Sequence, residues 1–192
     1  MESPVGNQAL LIMDMQNGIV ERYAGNVEPL FDTLSAALGA ARANGTTVVF
    51  VRVAFREGAP EVSSRNKSFA ALAGSLSMDE STHATQIHER LAPRPGELLV
   101  TKRRVSAFAG SDLDVVLRAN NIDSLVLSGI ATSGVVLSTL RQAADLDFAL
   151  TVLSDGCADQ DSEVHRVLTE KVFIRQANVL TTQEWISTLT SA

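Results

Sequence analysis

The sequence predicts an α/β fold in which a mainly parallel six-stranded sheet carries helices on both faces. Two patterns predict it. A short continuous apolar run, residues 9–13, lacks the alternation of a half-exposed strand and suits a strand buried on both faces. Segments with helical spacing, such as Leu30, Leu34, Ala37, Leu38 and Ala41, alternate with the strand segments. A strand–helix–strand succession closes through right-handed crossovers and makes the sheet parallel. The 192 residues fit one such domain, 1–192, and are too few for two.

The first strand, residues 9–13, ends at Asp14 and is followed by Gln16, Asn17 and Gly18. The helix bearing Leu30 and Ala41 stops at Asn44-Gly45, a glycine C-cap signal, and residues 46–53 form the second strand. Residues 54–95 hold most of the turn formers, among them Gly58, Pro60, Gly74, Pro93 and Pro95. A connection this long is expected to cover a site. Helix is expected within it around residues 67–73 and 86–91. The third strand, residues 97–101, runs directly into Lys102, and Asp112 stands as N-cap of a helix reaching about Asn120. Strand four begins near Ser124 and breaks at Gly129, leading into a helix that continues through Leu140, Ala143 and Ala144. Residues 148–153 are strand five, ended by Ser154, Asp155, Gly156 and Cys157. Residues 163–173 are helical, 177–180 form a short sixth strand, and 182–189 make a closing helix.

Composition narrows the function. A formal net charge of -6 gives no basic footprint for nucleic acid. No apolar run approaches the roughly 20 residues a membrane span needs, and residues 1–6 carry neither a basic nor an apolar leader region. With Cys157 the only cysteine, no intrachain disulfide can form. A cytoplasmic protein with a small-molecule substrate is the expectation. No Gly-x-Gly-x-x-Gly follows the first strand and no Walker A sequence occurs, which disfavours a nucleotide-binding module.

In a parallel sheet the binding crevice lies at the carboxyl ends of the strands, where the strand order reverses. That rule gathers Asp14, Lys102, the junction at residues 129–134, and Asp155 with Cys157. A strand-turn-helix junction points backbone N–H groups at an anion or oxyanion. A carboxylate and an ammonium meeting there suit acid–base chemistry, with a structural salt bridge as the plainer alternative.

The motifs Leu11-Ile12-Met13-Asp14-Met15-Gln16-Asn17, Lys102-Arg103-Arg104-Val105-Ser106-Ala107-Phe108 and Gly129-Ile130-Ala131-Thr132-Ser133-Gly134-Val135 occur in order, with Asp155 and Trp185 in support. Over residues 8–185 the chain resembles the isochorismatase-like, or cysteine hydrolase, family. The resemblance implies a three-layer α-β-α fold and a site made of an aspartate, a lysine and a cysteine nucleophile. Asp14 and Lys102 match the first two; Val135 stands at the nucleophile position. Valine forms no thiolate, so the route through a covalent thioester is closed there. The resemblance also implies a cis peptide at Ile130–Ala131. The Ala131 and Val135 N–H groups then face an oxyanion or substrate pocket, with Gly134, Gln16 and Phe108 as further substrate-binding residues. Family members that hydrolyse the vinyl ether of isochorismate manage without a cysteine, because an aspartic acid protonates the substrate. Asp14 would be that acid, and Lys102 would orient it or bind a substrate carboxylate. No cofactor and no metal are implied. Metal-dependent relatives have an aspartate–histidine cluster where Phe55-Arg56-Glu57 stands here, and His83 and His88 have no third ligand spaced to join them. A homodimer or larger homo-oligomer follows from the family's habit. The alternative to an enzyme is a degenerate member that binds a small molecule or a protein.

Other candidates carry less. Cys157 could be a displaced nucleophile, although a free cysteine is commonly a small buried hydrophobe. Ser133 and Ser138 have no histidine near in sequence and no Gly-x-Ser-x-Gly elbow. Arg56, Arg65 and Asn66 could cap the site or lie in a solvated loop, and Arg103 and Arg104 could serve a subunit interface. Phe173 and Trp185 read as packing residues.

Overall fold

The computed structural model describes residues 7–23, 25–75 and 78–189. Residues 1–6, on which the expectation about a leader region falls, lie outside them. Strands β1 (Asn7–Met13), β2 (Thr47–Val53), β3 (Leu98–Lys102), β4 (Ile122–Ile130), β5 (Ala149–Ala158) and β6 (Asn178–Leu180) form one sheet in the order β3-β2-β1-β4-β5-β6. Every neighbouring pair is parallel. The chain builds outward from β1 to β3, then returns to the other side of β1 with β4. The order therefore reverses between β1 and β4, and a crevice opens above their carboxyl ends.

The continuous apolar runs are explained by burial on both faces. In β1, Leu10 and Ile12 pack with Leu34, Leu38 and Trp185, under α2 (Glu28–Ala43) and α7 (Thr182–Leu189). Ala9, Leu11 and Met13 point the other way, into a core with Leu113, Leu117 and Leu140. Those leucines come from α4 (Leu113–Ala119) and α5 (Leu137–Asp145), so helix, sheet and helix make three layers. α1 (Asn17–Val20) and α3 (Lys67–Ser75) belong to the connections that follow β1 and β2, and α6 (Ser162–Val167) follows β5.

Three expectations need correction. β5 does not end at residue 153 but runs to Ala158, because the pairing slips from Leu127↔Val152 to Gly129↔Cys157 and absorbs the extra residues in an irregularity. Asp155 is consequently turned away from the crevice. Its Oδ1 accepts the Thr182 backbone N–H at 2.7 Å and the Thr182 hydroxyl at 2.8 Å, capping α7. Residues 86–91 are not a helix. Ile87 pairs with Gln16, and only Glu89–Leu91 makes a short 3-10 turn. Asp112 occupies the N-cap position of α4 without a side-chain capping bond; Ser111 Oγ accepts the Leu113 N–H instead, at 3.2 Å.

Candidate active site

Asp14 follows β1. Its backbone N–H still bonds to Val51 O at 2.8 Å, and then a positive φ of 57° turns the chain out of the sheet. Lys102 ends β3, two strands away, so its long stem must reach across the end of β2. Its Nζ lies 3.0 Å from Asp14 Oδ2 and donates to Arg104 O at 3.0 Å. Both side chains are buried. The other carboxyl oxygen, Asp14 Oδ1, is buried and has no hydrogen-bond partner among the described residues. Burial holds the Asp14 carboxyl above its usual range, outweighing the opposing pull of the Lys102 ammonium.

The third part of the site comes from β4. Gly129 leaves the strand at φ 121°, the Ile130–Ala131 peptide is cis, and the chain enters a wide helical turn over Thr132–Val136. Ala131 O accepts both the Gly134 N–H at 3.0 Å and the Val136 N–H at 3.3 Å, which sets the width of that turn. Asp159, just beyond β5, accepts the Ser133 N–H on its Oδ2 at 2.7 Å. The Asp159 carbonyl accepts from the Tyr23 hydroxyl at 2.8 Å. Thr132 Oγ1 meets His165 Nδ1 at 2.8 Å, tying the turn to α6.

Asp14, Lys102, Ala131, Gly134 and Val135 line a single cavity of about 390 Å³. Val135 is only 2% exposed and packs into the core, with Asp14 and Lys102 on the same cavity wall. A larger depression, about 850 Å³, sits at the opposite ends of the strands, and no ionisable side chain is among its described lining residues.

Two residues expected at the substrate lie elsewhere. Gln16 is fully buried and does not line the cavity; its amide donates to Val53 O at 2.9 Å and Thr85 O at 3.0 Å and accepts from Val53 N–H at 2.8 Å. It clamps the connection after β2 to the end of that strand. Phe108 packs against Phe148, ring centroids 5.9 Å apart, in the core beneath the site. Arg56, Arg65, Asn66, Arg103 and Arg104 are also absent from the lining. Arg103 bonds to Ala54 O and to Glu80, and Arg104 to Glu61 O at 2.9 Å, which pins the long connection to the chain after β3.

The cavity also takes in residues that the sequence reading missed: Ile19 and Arg22 after β1, Phe69 and Leu72 of α3, and Asp159. Running strand five as far as Ala158 would have placed Asp159 at a strand end and brought it into view. The others sit in connections whose path no local motif fixes.

Cys157 lies in the sheet, its Sγ 3.9 Å from Leu127 O, and burial pushes its thiol up to about 12. A nucleophile needs the opposite shift. The folded protein is therefore expected to resist iodoacetamide at neutral pH and to take up one carbamidomethyl group only after unfolding. Intact-mass measurement with and without guanidinium checks this, and rapid labelling of the native protein would return Cys157 to consideration.

The buried acid–ammonium pair thus sits at the reversal point of a parallel sheet, facing a helix entry, in a three-layer α-β-α fold. The isochorismatase domain model matches residues 8–184, and the chain belongs to the isochorismatase family. It is 34% identical over 206 residues to the ureidoacrylate amidohydrolase RutB of Stutzerimonas stutzeri (strain A1501), covering 94% of this chain and 79% of that protein. It is 33% identical over 180 residues to the isochorismatase family protein YwoC of Bacillus subtilis (strain 168), covering 93% and 92%. Among solved structures, a cysteine hydrolase from Pseudomonas syringae pv. phaseolicola 1448A superposes with a TM-score of 0.89, covering 100% of this chain and 99% of that one. At 23% identity that likeness speaks for the fold alone.

Proposed function

We propose that the protein hydrolyses a small carboxylated or carbonyl-bearing substrate by proton donation from Asp14, with water as the nucleophile and no covalent enzyme intermediate. The Asp14 carboxyl carries this reading. One oxygen is held by Lys102 at 3.0 Å, the other is buried without a partner among the described residues, and burial favours the protonated form. A carboxyl that burial makes hold its proton more tightly than usual, placed in a cavity, suits general acid catalysis. Val135, where the family's cysteine would stand, supplies wall and no thiolate.

A carboxylated vinyl ether fits the mechanism. The Asp14 proton passes to the terminal carbon of the double bond, whose electron pair forms the new C–H bond and leaves an oxocarbenium ion. Lys102 stabilises the carboxylate that Asp14 becomes. Water adds to the cation and returns a proton to Asp14, and the hemiketal breaks to a ketone and an alcohol. One water is consumed and the acid is regenerated.

A second reading, C–N hydrolysis, is favoured by the relative named ureidoacrylate amidohydrolase. It would use Asp14 ionised, as a base toward water. Assay of the purified protein against isochorismate and a panel of small amides and ureides separates the two. On the first reading vinyl-ether turnover is seen, and in D₂O the new methyl group of the ketone carries one solvent deuterium. Amide or ureide hydrolysis without any vinyl-ether turnover would overturn the general-acid proposal.

A further inference from the structure

The polar part of the cavity wall is graded in depth. Asp14 and Lys102 are buried, Tyr23 and Asp159 are half-buried, and Arg22, Ser133 and Gln160 are exposed at the mouth. Asp159 is the second carboxyl among the described lining residues. Its place follows from the register. Asp14 comes directly after Met13, which pairs with Gly129 of β4, and Asp159 comes directly after Ala158, which pairs with Ile130 on the other side of β4. The two carboxyls thus flank the end of one strand, on neighbours of β4 whose axes lie about 10 Å apart. Asp159 is also held still. Its Oδ2 accepts the Ser133 N–H at 2.7 Å, and its carbonyl accepts from the Tyr23 hydroxyl at 2.8 Å. Among the described residues Oδ1 accepts only the Asp161 N–H, at a long 3.4 Å, so it keeps lone pairs for a further donor.

Building on the vinyl-ether reading above, we infer that Asp159 is the base of the reaction: it holds the attacking water and takes its proton. Inverting glycosidases also pass through an oxocarbenium-like state and add water directly. Their acid and base carboxyls stand about 6.5–9.5 Å apart, which leaves room for that water. A pair rising from strands about 10 Å apart, lining one cavity of about 390 Å³, meets the same need. With Asp14 at the terminal carbon, the water on Asp159 faces the neighbouring cationic carbon. Its oxygen forms the new C–O bond, one of its O–H bonds breaks, and the proton passes to Asp159. Solvent at the mouth relays a proton to Asp14, so the net return of a proton to Asp14 and the use of one water are unchanged. The negative charge of Asp159 also favours the cation. Tyr23 and the Ser133 N–H serve this step by fixing the base.

Deuterium labelling separates this role from mere anchoring of the turn. Asp159→Asn keeps an amide oxygen for the Ser133 N–H but cannot take a proton. Wild type and variant are incubated with isochorismate in D₂O, and product and recovered substrate are read by NMR and mass. The wild type is expected to return unlabelled substrate, because water captures each cation. In Asp159→Asn turnover is expected to fall roughly 10²-fold while protonation by Asp14 continues. The uncaptured cation then gives a proton back, and recovered isochorismate gains deuterium at its vinyl CH₂. Asp159→Ala is expected to be as slow, and formate in the vacated space to raise its turnover, which a lost anchor alone would not allow. Full turnover in Asp159→Asn, or slow turnover with neither label in recovered substrate nor rescue by formate, would overturn the inference. No turnover by the wild type would instead strike the vinyl-ether reading, and the base assignment with it.

Discussion

Asp14→Asn is expected to lower turnover by about 10²- to 10⁴-fold, the usual contribution of a positioned general acid. Asparagine keeps the size of the side chain and a carbonyl oxygen for Lys102, but has no acidic proton to give. The substitution also changes the partner of a buried ammonium, since Lys102 is 2% exposed and its Nζ lies 3.0 Å from Asp14 Oδ2. A loss of activity in the single variant could therefore reflect a weakened fold. Asp14→Asn combined with Lys102→Met removes both partners; stability is expected to recover in denaturant melts while turnover stays lost. Recovery of turnover in the double variant, or full activity in Asp14→Asn, would exclude Asp14 as the acid. The pH dependence has a definite sign. Because the folded-state pKa is raised above 3.8, the folded protein holds this proton more tightly. The stabilising contribution of Asp14 is full below that value and is lost as pH rises through the folded pKa. The stability advantage of the wild type over Asp14→Asn should be greatest in acid and shrink toward neutrality.

Gly129→Ala is expected to be the most damaging alanine substitution among the described glycines. Gly129 sits at φ 121°, and an added Cβ would lie 1.9 Å from Met13 O and 2.8 Å from Met13 C. Those are backbone atoms of the strand at the centre of the sheet, so no rotamer change can make room. The crowding falls on the residue just before Asp14, so the methyl would part β1 from β4 beside the candidate acid. A loss of more than about 4 kcal/mol, or failure to fold, is expected, with named causes in steric overlap and a disfavoured backbone. Gly39→Ala in α2 is the control, since nothing lies within 4 Å of its added Cβ. It should be neutral or stabilise by up to about 1 kcal/mol, because alanine is the better helix former. Comparable thermal midpoints for the two variants would show that the junction is looser than its contacts imply.

Much of the sheet was legible because burial on both faces leaves an unbroken apolar signature, as in residues 9–13. Asp14 and Lys102 were legible for a related reason. Each is a charged residue ending such a run, and the only place a parallel sheet puts strand ends is the crevice. Polar residues in the connections gave no such guide. Gln16 looks like a substrate contact because it follows Asp14 closely, yet its amide is spent on Val53 and Thr85. Asp155 looks like a strand terminator beside a glycine, yet β5 continues through an irregularity and the carboxylate caps α7. Both errors have one source: a side-chain amide or carboxylate can satisfy distant backbone groups, and nothing local in sequence records the partner. The apolar side of the pocket was hidden differently. Phe69, Leu72 and Val105 belong to segments whose path depends on ion pairs and backbone bonds such as that from Arg104 to Glu61 O.

The protonation state of Asp14 bears most directly on whether this site works by general acid catalysis. Infrared titration of the wild type against Asp14→Asn isolates the C=O band of the protonated Asp14 carboxyl. A band that persists above pH 3.8, the ordinary aspartate value, and is absent from the variant is the expected result. A carboxyl already ionised at and below that pH would contradict the assignment, since Asp14 would then have no proton to donate.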